Sequence, residues 1–284
     1  MLSFGIILAG LSMLFAVGSD LVFKLVRTRH AVHTGSFVAG IGLVWTAVFA
    51  VAFLANGGPG HWTGWGFALL SGVASATANL LLIESLGRVD VGIGSTIYRL
   101  NLVWVMLLSF LFLHEIVTGA KVSALLLGLA AILLLAVAEH GFTPAGLLQQ
   151  GMGALLAASL LRALMGIFYK LALGSGMGQY ELLIISGACW IVAGAVAAWR
   201  HRPVREIVAA RRWILLSGTL VCGIVFFLSR ALAVTDASVA VPISQFNFVG
   251  TALLGMIVFN EPLTLRKGLG LAAAGGAILL LAIV

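Results

Sequence analysis

The sequence predicts an all-α integral membrane protein, with ten transmembrane helices arranged as two inverted five-helix repeats. Composition, the spacing of apolar runs and an internal duplication lead to this prediction. Of the 284 residues, 62% are hydrophobic and only 9% are charged, whereas a soluble domain carries about 25% charged residues. Such a chain cannot cover its apolar surface with polar groups, so the composition favours a lipid bilayer as its solvent.

Apolar runs recur along the whole chain, each close to the roughly 20 residues that a helix needs to cross a bilayer. They lie at about 2–24, 35–55, 64–86, 92–113, 117–138, 151–173, 180–199, 213–233, 238–259 and 264–284. Transmembrane β-strands are half as long and alternate in polarity, so the runs indicate helices. No basic segment precedes the first run and no small-residue cleavage site follows it, so we interpret it as a spanning helix rather than a signal peptide.

An internal duplication organises these spans. Residues 84–137 match residues 230–283 without a gap, at a constant shift of 146 positions. Identical residues in this register include Asp90 and Asp236, Asn101 and Asn247, Glu115 and Glu261, Thr118 and Thr264, and Lys121 and Lys267. We therefore expect two domains, 1–138 with spans one to five and 148–284 with spans six to ten. Because five is odd, the second copy would enter the membrane inverted, an arrangement typical of alternating-access transporters.

Basic residues in the connections predict the orientation. One face receives Arg27, Arg29, Arg88, Arg200, Arg202, Arg205, Arg211, Arg212, Arg266 and Lys267, and the other receives Lys121 and Lys170. By the positive-inside rule the first face is cytoplasmic, which places both termini on the external side of the plasma (inner) membrane. The same rule accounts for the net charge of +7, so no nucleic-acid partner is expected.

Each half ends with an apolar span, a short acidic turn and a final span. The two turns read FLHEIVT at 112–118 and VFNEPLT at 258–264. This pattern resembles the end of the EamA domain, the repeat unit of the drug/metabolite transporter superfamily. The second copy is the closer match, because Ile116 replaces a more usual proline in the first. The resemblance covers the whole chain and implies a transporter of small solutes with a central cavity, lined mainly by the first four spans of each half.

Charged residues deep inside the spans are the first candidates for a functional site, since a charge in hydrocarbon needs a partner or a polar cavity. Arg99 lies about eight residues into the fourth span and can bind a carboxylate or phosphate through two parallel hydrogen bonds. Its alternative role is a salt bridge to Glu84 across a helical hairpin. Glu84 in turn fits either a counter-ion of Arg99 or a proton-coupling carboxylate. Asp20, four residues before Lys24, fits an ion pair within one helix.

Charge is unequal between matched positions of the two halves. Arg162, in the middle of the sixth span, corresponds to Ala16 and should face the cavity or a partner. Arg99 corresponds to Gln245, and Glu84 to Arg230. An asymmetric solute requires an unequal cavity of this kind, although drift after duplication gives the same pattern. For Arg230 we weigh two roles, a guard of the outer mouth and a bond to nearby Asp236.

Several uncharged residues complete the candidate set. Asn101 and Asn247 are the polar pair that both halves retain, and their amides fit either solute binding or hydrogen bonds between helices. Tyr98 and Trp104 fit either stacking on a planar solute or packing between helices. Pro242, near the start of the ninth span, lacks an N–H group and is expected to kink that helix beside the cavity.

Together these observations predict a secondary active transporter moving a small polar metabolite, an amino acid or an organic anion. The alternative within transport is proton-coupled efflux of lipophilic cationic drugs with Glu84 as the proton carrier. An intramembrane enzyme is disfavoured, because His30 and His33 have no carboxylate nearby and no nucleotide-binding loop occurs. The expected partners are the solute, the bilayer and a proton as a candidate coupling ion, with no cofactor and no metal site.

Overall fold

The computed structural model describes residues 4–29, 33–56, 60–85, 97–140, 151–200, 203–259 and 264–283. In these ranges the chain forms helices and no strands. The helices are α1 Phe4–Arg29, α2 Thr34–Asn56, α3 Trp65–Ser85, α4 Asn101–Leu113, α5 Gly119–His140, α6 Met152–Gly174, α7 Gln179–Ala197, α8 Pro203–Ala209, α9 Arg211–Val234, α10 Ala237–Gln245, α11 Asn247–Phe259 and α12 Leu265–Ala282. Arg88, Asp90, Arg202 and Glu261 lie outside the described residues.

The all-helical membrane prediction is confirmed, whereas the count of ten spans stays a prediction. Within the described residues, eight stretches are long and apolar enough to cross a membrane, and α4 and the Gly119–Leu135 part of α5 are shorter apolar helices. Of the fourth predicted run, 92–113, the structure describes 97–113, where the regular helix α4 begins at Asn101 after a turn at Arg99 and Leu100. One connection also contains a helix that the apolar runs did not predict, α8, whose first residue is Pro203. Proline suits that position because the first N–H groups of a helix have no partner within it.

The most extensive helix contacts join the first half of the chain to the second. α2 packs on α7, α3 on α6, α1 on α9, and α5 on α12. Under the shift of 146 residues, the α1–α9 contact corresponds to the α6–α3 contact. In the same way, the packing of α4 on α6 corresponds to that of α11 on α1. The core of the protein therefore lies between the two halves rather than within each of them.

Glycines allow the close approach of α2 and α7. A Cβ atom added to Gly35 would lie 2.7 Å from the backbone nitrogen of Ala198 and 2.7 Å from the carbonyl oxygen of Gly194. Small residues let helix backbones come this near in a bilayer, where van der Waals packing drives helix association. The neighbouring indoles of Trp45 and Trp190 pack with their ring centroids 5.4 Å apart.

The acidic turn between α4 and α5 holds the start of α10. The Glu115 carboxylate, 8% exposed, accepts hydrogen bonds from the backbone N–H groups of Ala237 at 2.6 Å and Ser238 at 2.9 Å. These N–H groups have no partner within the helix, and a negative charge is favourable beside them. Lys121, 2% exposed, forms a salt bridge of 2.7 Å with Asp236, the residue before α10. We call Glu115, Lys121, Asp236 and Ser238 the α10 clamp.

The α10 clamp accounts for Asp236, for which a bond to Arg230 was one expectation. Arg230 instead is exposed on α9, with its guanidinium carbon 5.8 Å from the centroid of the Phe226 ring.

The caps at the start of α5 and α12 are the same in both halves of the duplicated chain. Thr118 Oγ1 accepts a hydrogen bond from Lys121 N at 3.3 Å, and Thr264 Oγ1 accepts one from Lys267 N at 3.3 Å.

Candidate functional site

Two tight turns interrupt the helical path at matched positions of the two halves. Before α4, Leu100 N donates to Ile97 O and Val103 N donates to Leu100 O, both at 3.0 Å. Between α10 and α11, Phe246 N donates to Ile243 O at 3.2 Å and Val249 N to Phe246 O at 3.0 Å. All four bonds link residues three apart, the spacing of a 3₁₀ turn, which within a longer helix often marks a hinge or a functional site.

Proline does not cause the two tight turns, although Pro242 lies near the second one. It lies buried inside α10, which continues through it to Gln245, and the tight turn follows at Phe246. The turn at Leu100 has no proline among Ile97–Asn101. A proline removes the bond from its own nitrogen to the carbonyl four residues earlier, so its effect falls on the first turn of α10, which the α10 clamp holds.

Arg99 reaches from the first turn to the second. Its Nη1 donates to the carbonyl oxygen of Gln245 at 3.4 Å, at the end of α10, where helix carbonyls carry partial negative charge. Its guanidinium carbon also lies 4.3 Å from the centroid of the Phe248 ring, within the range of a cation–π interaction. Glu84, the sequence-based alternative partner, is exposed on the last turn of α3.

Asp20 on α1 is a site residue to which the sequence assigned only a pair with Lys24 on its own helix. Its Oδ2 accepts a hydrogen bond from Asn247 Nδ2 at 2.6 Å and a longer one from Thr251 Oγ1 at 3.3 Å, both on α11. It also interacts electrostatically with Arg99 and Arg162. The expected partner Lys24 has a side chain outside the described part. An acid inside an apolar span, together with arginines in other spans, was the available signal.

Arg162 on α6 brings the second positive charge to Asp20. Its Nη1 lies 3.6 Å from the sulfur of Met165, a weak acceptor, and its Nε is buried without a hydrogen-bond partner. Tyr98, next to Arg99 in the first tight turn, also lies near Arg162 and Asp20. The structure therefore brings together Asp20, Tyr98, Arg99, Arg162 and Asn247, drawn from α1, the first tight turn, α6 and α11; we call these residues the polar cluster.

Asn101 and Trp104, unlike Asn247, have buried polar atoms that form no hydrogen bond. Asn101, the first residue of α4, is 1% exposed, and neither its amide nitrogen nor its oxygen has a partner. Trp104, one turn later, has a buried and unpartnered indole Nε1. Buried polar atoms are usually hydrogen-bonded, so these atoms mark a place where a polar partner fits.

The fold and the polar cluster define a class: a duplicated, polytopic membrane protein with charged side chains between its halves. The EamA-like transporter family matches residues 3–137 and again residues 149–283. The chain belongs to this family, and it is an integral membrane protein of the transporter class.

Curated relatives share part of the chain. A probable 4-amino-4-deoxy-L-arabinose-phosphoundecaprenol flippase subunit ArnE of Yersinia pestis (strain Pestoides F) is 34% identical over 88 residues, which are 31% of this chain and 76% of the relative. The same protein of Yersinia pseudotuberculosis serotype O:3 (strain YPIII) matches with the same figures. These relatives are therefore shorter than half of this chain.

A solved structure has the same fold over the full length. It is described only as the crystal structure of a protein, and it superposes with a TM-score of 0.79 at 17% sequence identity. The match covers 100% of this chain and 98% of the other. At this identity the likeness concerns the fold alone.

Proposed function

We propose that this protein is a secondary active transporter that moves a small polar metabolite, an amino acid or an organic anion, by alternating access. The observation that carries the proposal is the polar cluster, which lies at two matched helix interruptions. Interrupted helices near the bilayer midplane bind solutes in several transporter folds, because their ends expose backbone groups and partial charges. Charged residues in apolar helices are costly and mark solute or ion pathways.

Alternating access requires two halves of opposite orientation, 1–138 and 148–284 in our proposal. The contact between Arg99 and Gln245 supports it, because these residues are 146 positions apart and occupy the same place in their repeats. Contact between equivalent residues is what a two-fold axis produces. The corresponding helix pairs α1–α9 and α6–α3 follow the same rule. With the basic connections on the cytoplasmic face, both termini would lie outside the plasma membrane.

The charges of the polar cluster favour an anionic or zwitterionic solute. Two arginines face one carboxylate, and Asp20 Oδ1 accepts no hydrogen bond from any described residue. We propose that arginine binds the carboxylate of the solute and that Asp20 Oδ1 accepts from its amino group when it has one. Glu84 is exposed on α3, whereas Asp20 is the carboxylate that interacts with Arg99 and Arg162, which favours our proposal over a cation carrier built on Glu84.

A second candidate follows from the relatives. The name of the ArnE proteins describes a flippase subunit for a phosphoundecaprenol-linked amino sugar. Arginine binds phosphate through the same fork geometry as carboxylate, so the polar cluster also fits the headgroup of a lipid-linked sugar phosphate. Sensitivity of transport to the lipid tail distinguishes this candidate from a transporter of free metabolites.

The test is a thermal-shift screen of amino acids, organic acids and inorganic phosphate on purified protein, repeated with Arg99→Gln and Arg162→Gln. Arg230→Gln is the matched control, because it removes an exposed arginine outside the polar cluster. We expect a carboxylate to raise the Tm of the wild type and of Arg230→Gln, to raise that of Arg99→Gln by less, and to leave that of Arg162→Gln unchanged. Equal stabilisation of all four proteins would overturn the proposed site.

The cation-efflux alternative has its own assay. Reconstituted protein is given a lipophilic cation and an imposed pH gradient, with Glu84→Gln as the comparison. We expect no exchange that depends on Glu84. A pH-driven exchange that Glu84→Gln abolishes would replace our proposal with the efflux mechanism.

A further inference from the structure

Two helix pairs of the same design differ in how their polar groups are satisfied. α11 packs on α1, and α4 packs on α6 at the matched positions. In the first pair, Asn247 donates to the Asp20 carboxylate at 2.6 Å. In the second pair Asn101 replaces Asn247, and glycine, Gly166, stands where Asp20 stands in α1. The α4–α6 pair therefore has the amide of the first pair but not its carboxylate.

The missing carboxylate leaves a group of donors without a partner. Asn101 is 1% exposed, and both of its amide atoms are unpartnered. The unpartnered buried atoms on these two helices also include Trp104 Nε1 on α4 and Ser159 Oγ and Arg162 Nε on α6. Ser159, Arg162 and Gly166 are three and four residues apart, so they share one face of α6. An unsatisfied polar group in a membrane interior is costly, and several on two helices that pack on each other indicate a missing acceptor.

The α1–α11 pair shows that the side-chain donors of Ser159, Arg162 and Trp104 are particular to α4 and α6. The positions that match Ser159, Arg162 and Trp104 are Met13, Ala16 and Gly250, none of which has a side-chain donor. These three donors of α4 and α6 are thus absent from the α1–α11 pair, which has its own carboxylate. Asn101 Nδ2, Trp104 Nε1 and Arg162 Nε can only donate, and Ser159 Oγ can do so. A donor-rich site with one fixed positive charge suits an anionic acceptor.

We propose that the carboxylate of the transported solute binds against α4 and α6 in the place that the Asp20 carboxylate occupies against α11. Asn101 Nδ2 donates to it as Asn247 Nδ2 donates to Asp20, and the Arg162 guanidinium supplies the charge and a second hydrogen bond. This inference rests on the proposed transport function and names the chemical group of the solute and the residues that hold it. Gly166 is a specificity residue, because an aspartate at this position would supply the carboxylate that the solute supplies in the wild type.

The duplication supplies the experiment. Gly166→Asp would give α6 the carboxylate that α1 has, but a Cβ at Gly166 would lie 2.9 Å from Val241 Cγ2. The residue matching Val241 in the first half is Ser95. The double variant Gly166→Asp with Val241→Ser therefore copies the first half and makes room for the new side chain. Gly166→Ala with Val241→Ser is the control, since it has the same space and no carboxylate.

Binding is measured by thermal shift with propionate, alanine and succinate, each compared with its primary amide, and with inorganic phosphate as a separate probe. We expect at least one carboxylate to stabilise the wild type and the alanine control. The aspartate variant should have a higher Tm without ligand and bind that carboxylate at least about tenfold more weakly, the effect of losing hydrogen bonds to a charged group.

The outcomes separate this inference from the function on which it rests. If the aspartate variant binds the carboxylate as the wild type does, while Arg162→Gln has lost it, the place assigned to the carboxylate is wrong and the transport proposal stands. If the alanine control loses binding as completely as the aspartate variant, the effect is steric and the inference fails. If phosphate stabilises the wild type and no carboxylate does, both the carboxylate and the metabolite class are wrong.

Discussion

The α1–α11 and α4–α6 helix pairs occupy matched positions of a duplicated chain, yet they differ in their polar groups. In the α1–α11 pair an amide and a hydroxyl of α11 bind the carboxylate of Asp20. In the α4–α6 pair the matching amide of Asn101 is buried and has no partner, and Arg162 has an unpartnered Nε. The two pairs share a backbone plan, but a few differences in sequence give the α1–α11 pair its own carboxylate and leave buried polar atoms of α4 and α6 without a partner.

The largest effect on stability is expected at the α1–α11 pair, which has its own carboxylate in Asp20. Asp20→Asn keeps the size of the side chain and removes a carboxylate that interacts with Arg99 and Arg162 and accepts hydrogen bonds from α11. Hydrogen bonds to a charged group contribute about 2–3 kcal/mol, and the arginines would also lose a counter-charge. The Tm in detergent should fall accordingly. An unchanged Tm would show that Asp20 does not balance the arginines.

Arg162→Gln changes the α4–α6 pair, where we place the solute, and should therefore weaken binding of the solute. Truncating a buried partner of an anion costs at least about 2 kcal/mol, so the carboxylate identified by screening should bind at least about 30-fold more weakly. Arg99→Gln should lose less, because Arg99 already has the Gln245 carbonyl and the Phe248 ring as partners. Isothermal titration of both variants measures the difference. A larger loss of affinity for Arg99→Gln than for Arg162→Gln would show that Arg99 is the main arginine that binds the carboxylate.

The α10 clamp tests whether the two halves share their design outside the polar cluster. Glu115→Ala removes the carboxylate from the start of α10 and should cost about 1–2 kcal/mol, as loss of a helix cap does. Glu261, the matching residue, lies outside the described residues, and the duplication predicts a similar loss for Glu261→Ala. Denaturant unfolding of both variants measures it. A loss in one variant alone would limit the clamp to one half.

The smallest effect is a gain in stability. Asn101→Leu replaces a buried amide without partners, so it should raise the free energy of unfolding by about 1 kcal/mol while it weakens binding of the carboxylate. Asn247→Leu is the matched comparison and should lower stability, because it removes the partner of Asp20. A loss of stability in Asn101→Leu without a change in binding would assign Asn101 to packing.

Much of this architecture could be predicted from the sequence. The apolar runs predict the helices because each must satisfy its own backbone in lipid, and the acidic turns indicate the family that the comparison confirms. Arg99, Arg162, Asn101 and Asn247 stood out as polar residues deep in those runs. What single-chain periodicity cannot predict is a contact between residues far apart, such as Glu115 with the start of α10.

The two tight turns also escaped prediction. Neither Tyr98–Asn101 nor Gln245–Asn247 contains the proline or glycine that usually signals an interruption, and Pro242 drew attention to the first turn of α10 instead. Asp20 was assigned to a neighbour on its own helix because sequence spacing shows only local partners. Its contact with Asn247, 227 residues away, depends on the packing of the two halves.

Counterflow in proteoliposomes tests the central claim most directly. Vesicles are preloaded with the carboxylate that stabilises the purified protein, and entry of the labelled solute is followed for the wild type, Arg162→Gln and Arg230→Gln. We expect transient accumulation of label for the wild type and Arg230→Gln and none for Arg162→Gln. Accumulation that is the same in all three would contradict a transport site at the α4–α6 pair.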